Sequence, residues 1–198
     1  MKSDLKLLED YVRNLLNTRL PDGLFYHGTG HTFRVYESAS LYAGLEGLTS
    51  KERSLLKVAA LFHDTGFIKQ YSHNEEIGVQ IARKALPDFG YSNEELNEIE
   101  HVILGTKIPQ KPETKLQRIM CDCDLDYLGT PDFLKLADLY RSELQVFKHQ
   151  ALSDKDWYES QVKFLQEHSY WTDSAKKVRN RGKIANLVRL HKLLRISV

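Results

Sequence analysis

The stretch Val58-Ala59-Ala60-Leu61-Phe62-His63-Asp64-Thr65-Gly66-Phe67 decides how the rest of the chain is read. Small and bulky apolar residues run almost unbroken into adjacent His63 and Asp64, and Gly66 then ends the helix. An imidazole and a carboxylate side by side at the end of a buried helix would each lose their water, so both need a partner. One cation would satisfy the two together, taking a nitrogen and an oxygen ligand. The competing reading is a helix-terminal histidine favoured by the dipole, with a capping aspartate. Which reading holds depends on whether other segments supply further ligands.

The remaining segments read as helices. Ser3 to Leu20 carries an apolar stripe at Leu5, Leu8, Val12, Leu15 and Leu16, with Ser3 as its cap. Pro21-Asp22-Gly23 breaks it, and Tyr26 to Gly30 forms a loop before a helix from His31 to Glu46. A helix capped by Thr49 or Ser50 ends at His63 or Asp64, and another spans about Asn74 to Leu86. Ser92-Asn93-Glu94-Glu95 is a capping box for a helix reaching about Leu104. Pro109 and Pro112 mark a loop before a helix from Thr114 to about Leu128. Pro131 is placed as the first helical residue of the next segment. Asp132–His149, Ser153–His168 and Thr172–Arg195 complete the set. No alternating β-branched segment or repeat interrupts them, so the fold class is all-α.

Composition narrows the function classes. Hydrophobic residues make up 41% of 198 residues, enough for a real core, and the length suits one domain over residues 1–198. A balance of 28 Lys+Arg against 27 Asp+Glu leaves a net charge of +1, which gives no electrostatic case for nucleic acid or an anionic membrane. No apolar run approaches transmembrane length, and Met1-Lys2-Ser3-Asp4 is too polar for a signal peptide. Cys121 and Cys123, one residue apart, fit reduced thiols better than a bridge, so a cytoplasmic location is expected.

Two further segments supply the missing ligands. His31 lies at the centre of a face made with Val35, Ser38, Ala39 and Tyr42, so its ring points inward, as a ligand or as a hydrogen-bonded core histidine. Further on, Cys121-Asp122-Cys123-Asp124-Leu125-Asp126 puts three carboxylates into an otherwise apolar helix whose buried face is Leu116, Met120, Cys123 and Tyr127. Asp124 falls nearest that face, Asp126 is further round, and Asp122 is the most outward. A calcium-loop reading fails, because no Gly stands at position six and no Glu at position twelve. Asp124 is therefore the choice for the fourth ligand. The alternative is that all three acids are ordinary flanking charges.

The ordered set His31…His63-Asp64…Asp124, all on helices, resembles the HD-domain metal phosphohydrolase superfamily over roughly residues 24 to 130. That resemblance implies an all-α bundle whose central cavity holds one or two divalent cations, and hydrolysis of a phosphate ester. The N-terminal helix 3–20 and the helices 131–195 would pack on this core. The stretch Tyr26-His27-x-x-x-His31-x-x-x-Val35 also looks like the start of the cyclic-nucleotide phosphodiesterase branch, where the matching histidine gives a proton to the leaving oxygen. His27 stays open between that role and a polar loop residue. The branch has an Asp where this chain has Arg34, and a His where it has Phe67, which tells against a second tightly bound metal. Other relatives carry a His-Glu pair that looks like His73-Asn74-Glu75-Glu76, making Glu75 the choice to steer water, with Glu76 or His73 as substitutes; an acidic helix N-terminus is the bland reading.

Arg34 is the first choice to neutralise a phosphate and Lys107 the second, since a guanidinium fork donates two parallel hydrogen bonds. The basic run Lys176 to Lys183 reads as a solvated helix face. The ligand set suits Mn, Fe, Mg, Co or Zn. The expected partner is a small-molecule phosphate ester of the nucleotide class, with no membrane and no nucleic acid, and a homo-oligomer left open. Two rivals stay beside this reading: a catalytically weak or inactive sensor of nucleotide or metal, and a di-iron oxygenase of the same superfamily.

Overall fold

In the computed structural model, residues 5–196 are described, and among them nine α-helices and three single-turn 3-10 segments form the fold, with no strand. The helices are α1 (Leu5–Arg19), α2 (Thr29–Leu45), α3 (Ser50–Phe62), α4 (Asn74–Ala85), α5 (Asn93–Leu104), α6 (Lys115–Asp124), α7 (Phe133–Lys148), α8 (Asp154–Glu167) and α9 (Asp173–Ile196). The all-α expectation is met. Ser3, proposed as a cap for α1, lies outside the described residues.

Local chemistry sets the helix starts. Thr49 with Glu52, Ser92 with Glu95 and Thr114 with Gln117 each form a reciprocal capping box, so orphan amides at three N-termini find side-chain oxygens. Helix α3 is the central post. Leu55, Leu56 and every residue from Val58 to Phe62 are fully buried, as expected of a helix apolar all round. Helices α2, α5 and α6 pack around it, with α1 and α4 closing the sides of the same core. A second apolar cluster forms where Phe133, Ala137, Trp157, Leu165 and Leu190 of α7, α8 and α9 meet Leu128.

Two places depend on the absence of a Cβ. Helix α3 gives way to a 3-10 turn over Thr65–Ile68, and Gly66 faces the N-terminus of α4 so closely that a Cβ would stand 1.8 Å from the Asn74 carbonyl oxygen. Helix α9 crosses the turn Asp126–Gly129 in the same way, with a Cβ on Gly182 falling 1.9 Å from the Gly129 oxygen. Both contacts are backbone on backbone, so no side chain can move aside.

Two expected boundaries are corrected. The helix expected from Thr114 to Leu128 stops at Asp124: Leu125 leaves helical geometry and a 3-10 turn follows. The break turns Asp124 and Asp126 in different directions. Pro131 precedes α7 rather than opening it, because Asp132 is the cap residue and Phe133 the first helical one. No helix among the described residues is long and apolar enough to cross a membrane.

Alanine at two glycines tests this account in opposite directions. Gly182→Ala forces α9 off the Gly129 turn and is expected to cost about 3 kcal/mol, lowering the melting temperature by roughly 6–12 °C in a circular-dichroism melt. Gly44 is inside α2 with open space where a Cβ would go, so Gly44→Ala is expected to add about 0.5–1 kcal/mol. Equal effects from the two would refute the close-approach argument.

Candidate metal centre

Three segments deliver four side chains to one point. His31 comes from the first turns of α2, His63 and Asp64 from the end of α3, and Asp124 from the last residue of α6. The two Nε2 atoms lie 3.3 Å apart. Asp64 Oδ2 is 3.2 Å from each of them. Asp124 Oδ1 is 3.1 Å from His31 Nε2 and 3.5 Å from His63 Nε2. Ligand atoms of His31, His63 and Asp124 all fall within 4.8 Å of one another, close enough for one ion to take all three.

The outer partners hold these rings and carboxylates in place. His63 Nδ1 donates to the Ala60 carbonyl at 2.8 Å, which leaves Nε2 as the inward atom. Asn74 Nδ2 donates to Asp64 Oδ1 at 3.0 Å, and the Gly66–Asn74 approach is what brings it there. Asp64 Oδ2, by contrast, is buried with no hydrogen-bond partner. A shut-in carboxylate oxygen facing two imidazole nitrogens is what a cation would complete, so these residues fit a divalent metal.

The protonation balance agrees. Burial favours the neutral form of both imidazoles, but Asp64 and Asp124 together outweigh it and raise the pKa of His31 and of His63. Burial works against the Asp64 carboxylate as well, yet His63 and His31 hold it well below the usual range. The same rings lower Asp124 to about 2 against the burial cost. Carboxylates and imidazoles in the cluster thus each favour the charged form of the other.

His27 lies beside this cluster, its ring centroid 5.6 Å from that of His31 and 4.6 Å from Phe67, on which it stacks. Its Nδ1 is paired with Glu143 Oε1, while the amides of Tyr26 and His27 donate to Glu143 Oε2 at 2.9 and 3.0 Å. Tyr71 Oη donates to Glu143 Oε1 at 2.9 Å. Glu143 is fully buried, and although burial opposes its charge, His27 and the two amides keep its pKa lowered. The sequence reading missed Glu143. The signal was there: Phe133, Leu136, Ala137, Tyr140 and Leu144 mark the inward face of α7, and Glu143 sits on it.

The other expected site residues lie around this centre. Glu75, one residue after the Asn74 that holds Asp64, is half-buried, and its carboxyl is raised by burial and further by Asp64 and Glu76. Arg34 opens into a cavity of about 260 Å³ shared with His31 and Asp124, its Nη1 folded back over Gly30, and no ion pair engages it among the described residues. Lys107 is paired with Glu76 at the surface and lines neither cavity that reaches Asp124. His73 is exposed, in a left-handed conformation at the start of α4.

The three acids of α6 and its turn differ from expectation. Asp122, read as the most outward, is fully buried and accepts from the Trp171 and Thr172 amides at 2.7 and 2.8 Å and from the Thr172 hydroxyl. Asp126 accepts the Arg179 guanidinium at 2.7 and 2.8 Å, and Tyr42 Oη besides. None of the three is a flanking charge. The basic run is likewise not purely a solvated face, since Arg179 reaches Asp126 and Lys183 donates to the His168 carbonyl. Cys121 and Cys123 are both free and buried.

Comparison with known proteins follows the same line. The family model for the HD domain matches residues 28–126, the segment that carries all four clustered side chains. A crystal structure of a predicted HD superfamily hydrolase from an uncultured Thermotogales bacterium superimposes with a TM-score of 0.62 at 21% identity, over 97% of this chain and 98% of that one. No curated protein matches the chain.

Because a cation must displace protons from imidazoles whose pKa is raised, metal affinity is expected to fall as pH falls. Titration calorimetry with Mn(II) should show roughly tenfold weaker binding at about pH 6 than at about pH 8, with proton release into the buffer. Affinity independent of pH would mean that the imidazoles are not ligands.

Proposed function

The chain belongs to the HD-domain family of metal-dependent hydrolases, and on that premise we propose that it hydrolyses a phosphate ester of a small organic molecule, with nucleotides as the substrate class. The observation that carries this reading is the buried, unpartnered Asp64 oxygen 3.2 Å from two imidazole nitrogens, with Asp124 beside them. His31, His63, Asp64 and Asp124 would hold one divalent cation of the Mn, Fe, Mg, Co or Zn group. When bound, such an ion would supply Lewis acidity, lowering the pKa of a water and drawing charge from a phosphoryl oxygen so that the phosphorus becomes more electrophilic.

The chain's own residues divide the remaining work. Glu75, a half-buried carboxyl with a raised pKa near Asp64, takes the proton of the attacking water. Arg34, on the wall of the cavity beside Asp124 and in no ion pair among the described residues, balances the charge that builds on the phosphoryl oxygens. As the bond from phosphorus to the leaving oxygen breaks, His27 gives that oxygen a proton. Glu143 acts through His27: it fixes the Nδ1 side of the ring and leaves Nε2 for the substrate. Lys107, already paired with Glu76, stays a second choice for the phosphate.

A screen of phosphomonoesters, nucleotides, cyclic nucleotides and guanosine alarmones with each metal tests the reading. Turnover is expected for at least one nucleotide, and Asp124→Ala should abolish it together with metal binding. Ligand binding without any turnover would favour the sensor reading.

Arg34→Ala is expected to lower kcat/KM by about 10²–10³ for that substrate. Glu143→Gln should lower kcat by about 10–100-fold and move the alkaline limb of the pH profile, and the double variant with His27→Ala should fall no further than His27→Ala alone. Additive losses would show that Glu143 does not act through His27.

A further inference from the structure

Asp124 borders two cavities. One, of about 260 Å³, holds Arg34. The other, of about 380 Å³, opens on the His27 side and lies between the end of α6 and helices α7 and α8. That volume is within the range of about 300–1,000 Å³ that encloses small organic ligands. Most of its wall comes from residues beyond the matched family segment 28–126.

The lining has a definite chemistry. Tyr127, Tyr140, Trp157 and Phe164 present ring surfaces, and Trp157 is 2% exposed. Among them stands Gln161, 7% exposed, whose side-chain amide makes, among the described residues, one hydrogen bond, a 3.5 Å contact to the neighbouring Ser160 hydroxyl. A nearly enclosed amide with spare donor and acceptor capacity, set among aromatic faces, is matched by a planar ring with a hydrogen-bonding edge. An alkyl chain would fill the volume but leave that amide unpaired, at a cost of about 1–3 kcal/mol.

We propose that this cavity binds the heteroaromatic base of a nucleoside phosphate, stacked between the rings and met at its edge by Gln161. The inference rests on the phosphate-ester reading and deepens it. His27 borders the same cavity, so the leaving oxygen lies between His27 and Asp124, with the nucleoside on the aromatic side and the phosphoryl group toward Arg34. Specificity for the base then resides in α7 and α8, outside the metal-holding core.

The test separates this inference from the reading beneath it. Unphosphorylated nucleosides are titrated into the metal-free full chain by calorimetry, with tryptophan fluorescence reporting Trp157, and kcat/KM is compared for nucleoside monophosphates and ribose 5-phosphate. At least one nucleoside should bind and quench the fluorescence. Gln161→Leu should lower the nucleotide-to-ribose-phosphate ratio of kcat/KM about tenfold, and Ser160→Trp, at an exposed position on the cavity's rim, should block nucleoside binding with helicity retained. Nucleoside binding in a chain that hydrolyses no phosphate ester would leave the cavity assignment standing and remove the hydrolase reading. Hydrolysis without nucleoside binding, or equal binding of a medium-chain alkyl phosphate, would overturn the base assignment, and both are read on the unmodified chain.

Discussion

Three ionisable side chains shut away from water, with Asp124 beside them at the edge of two cavities, must satisfy one another or a common ion, and the surrounding helices are arranged around that requirement. Isolated burial of any one charge would cost several kcal/mol. Here Asp64 and Asp124 flank two imidazoles at 3.1–3.5 Å, and the groups stabilise one another's charged forms. The cluster has no internal freedom to reach this state by itself. His63 is fixed by the Ala60 carbonyl, Asp64 by Asn74, and Asp124 by the corner at Leu125 that ends α6.

The same logic explains the density of acid in α6. Asp122, Asp124 and Asp126 are each answered by a different group: the Trp171 and Thr172 amides leading into α9, the histidines, and Arg179 within α9. A helix packed on several sides cannot leave a carboxylate idle. Asp122 caps the turn into α9 from one side, while the close crossing of Gly182 over Gly129 sets the height at which Arg179 meets Asp126. The position of Asp124 is thereby tied to a helix about fifty residues later.

Much of this was legible in the chain, for identifiable reasons. Apolar periodicity and the Ser92 capping box gave the helices, and the inward faces of α2 and α6 gave His31 and Asp124, because both signals are local. Asp122 was misread as outward because periodicity on one helix reports only the main core, not a second partner on the opposite side. The break at Leu125 was missed since nothing in Asp124-Leu125-Asp126 disfavours a helix locally; the tertiary pairing of Asp126 with Arg179 accompanies the turn. Glu143 was hidden for another reason: a carboxylate on an apolar face has meaning only once its partner is known, and His27 is 116 residues away.

Placing two cavities on either side of one aspartate lets a helical bundle separate tasks that interfere when mixed. Charge on a phosphoryl group calls for a guanidinium and polar surroundings, while a planar organic group calls for rings and the exclusion of water. Asp124 and Tyr127 line both spaces, so under the proposed reading a substrate reaching from one to the other would pass the cluster of His31, His63, Asp64 and Asp124. Phe67 stacks on the His27 ring while Glu143 holds its edge, which keeps that imidazole on the wall of the larger space. Because α7 supplies both Glu143 and part of the aromatic wall, under the proposed reading a change in that helix would reach proton transfer and ligand fit together, whereas a change in α8 would reach only the fit.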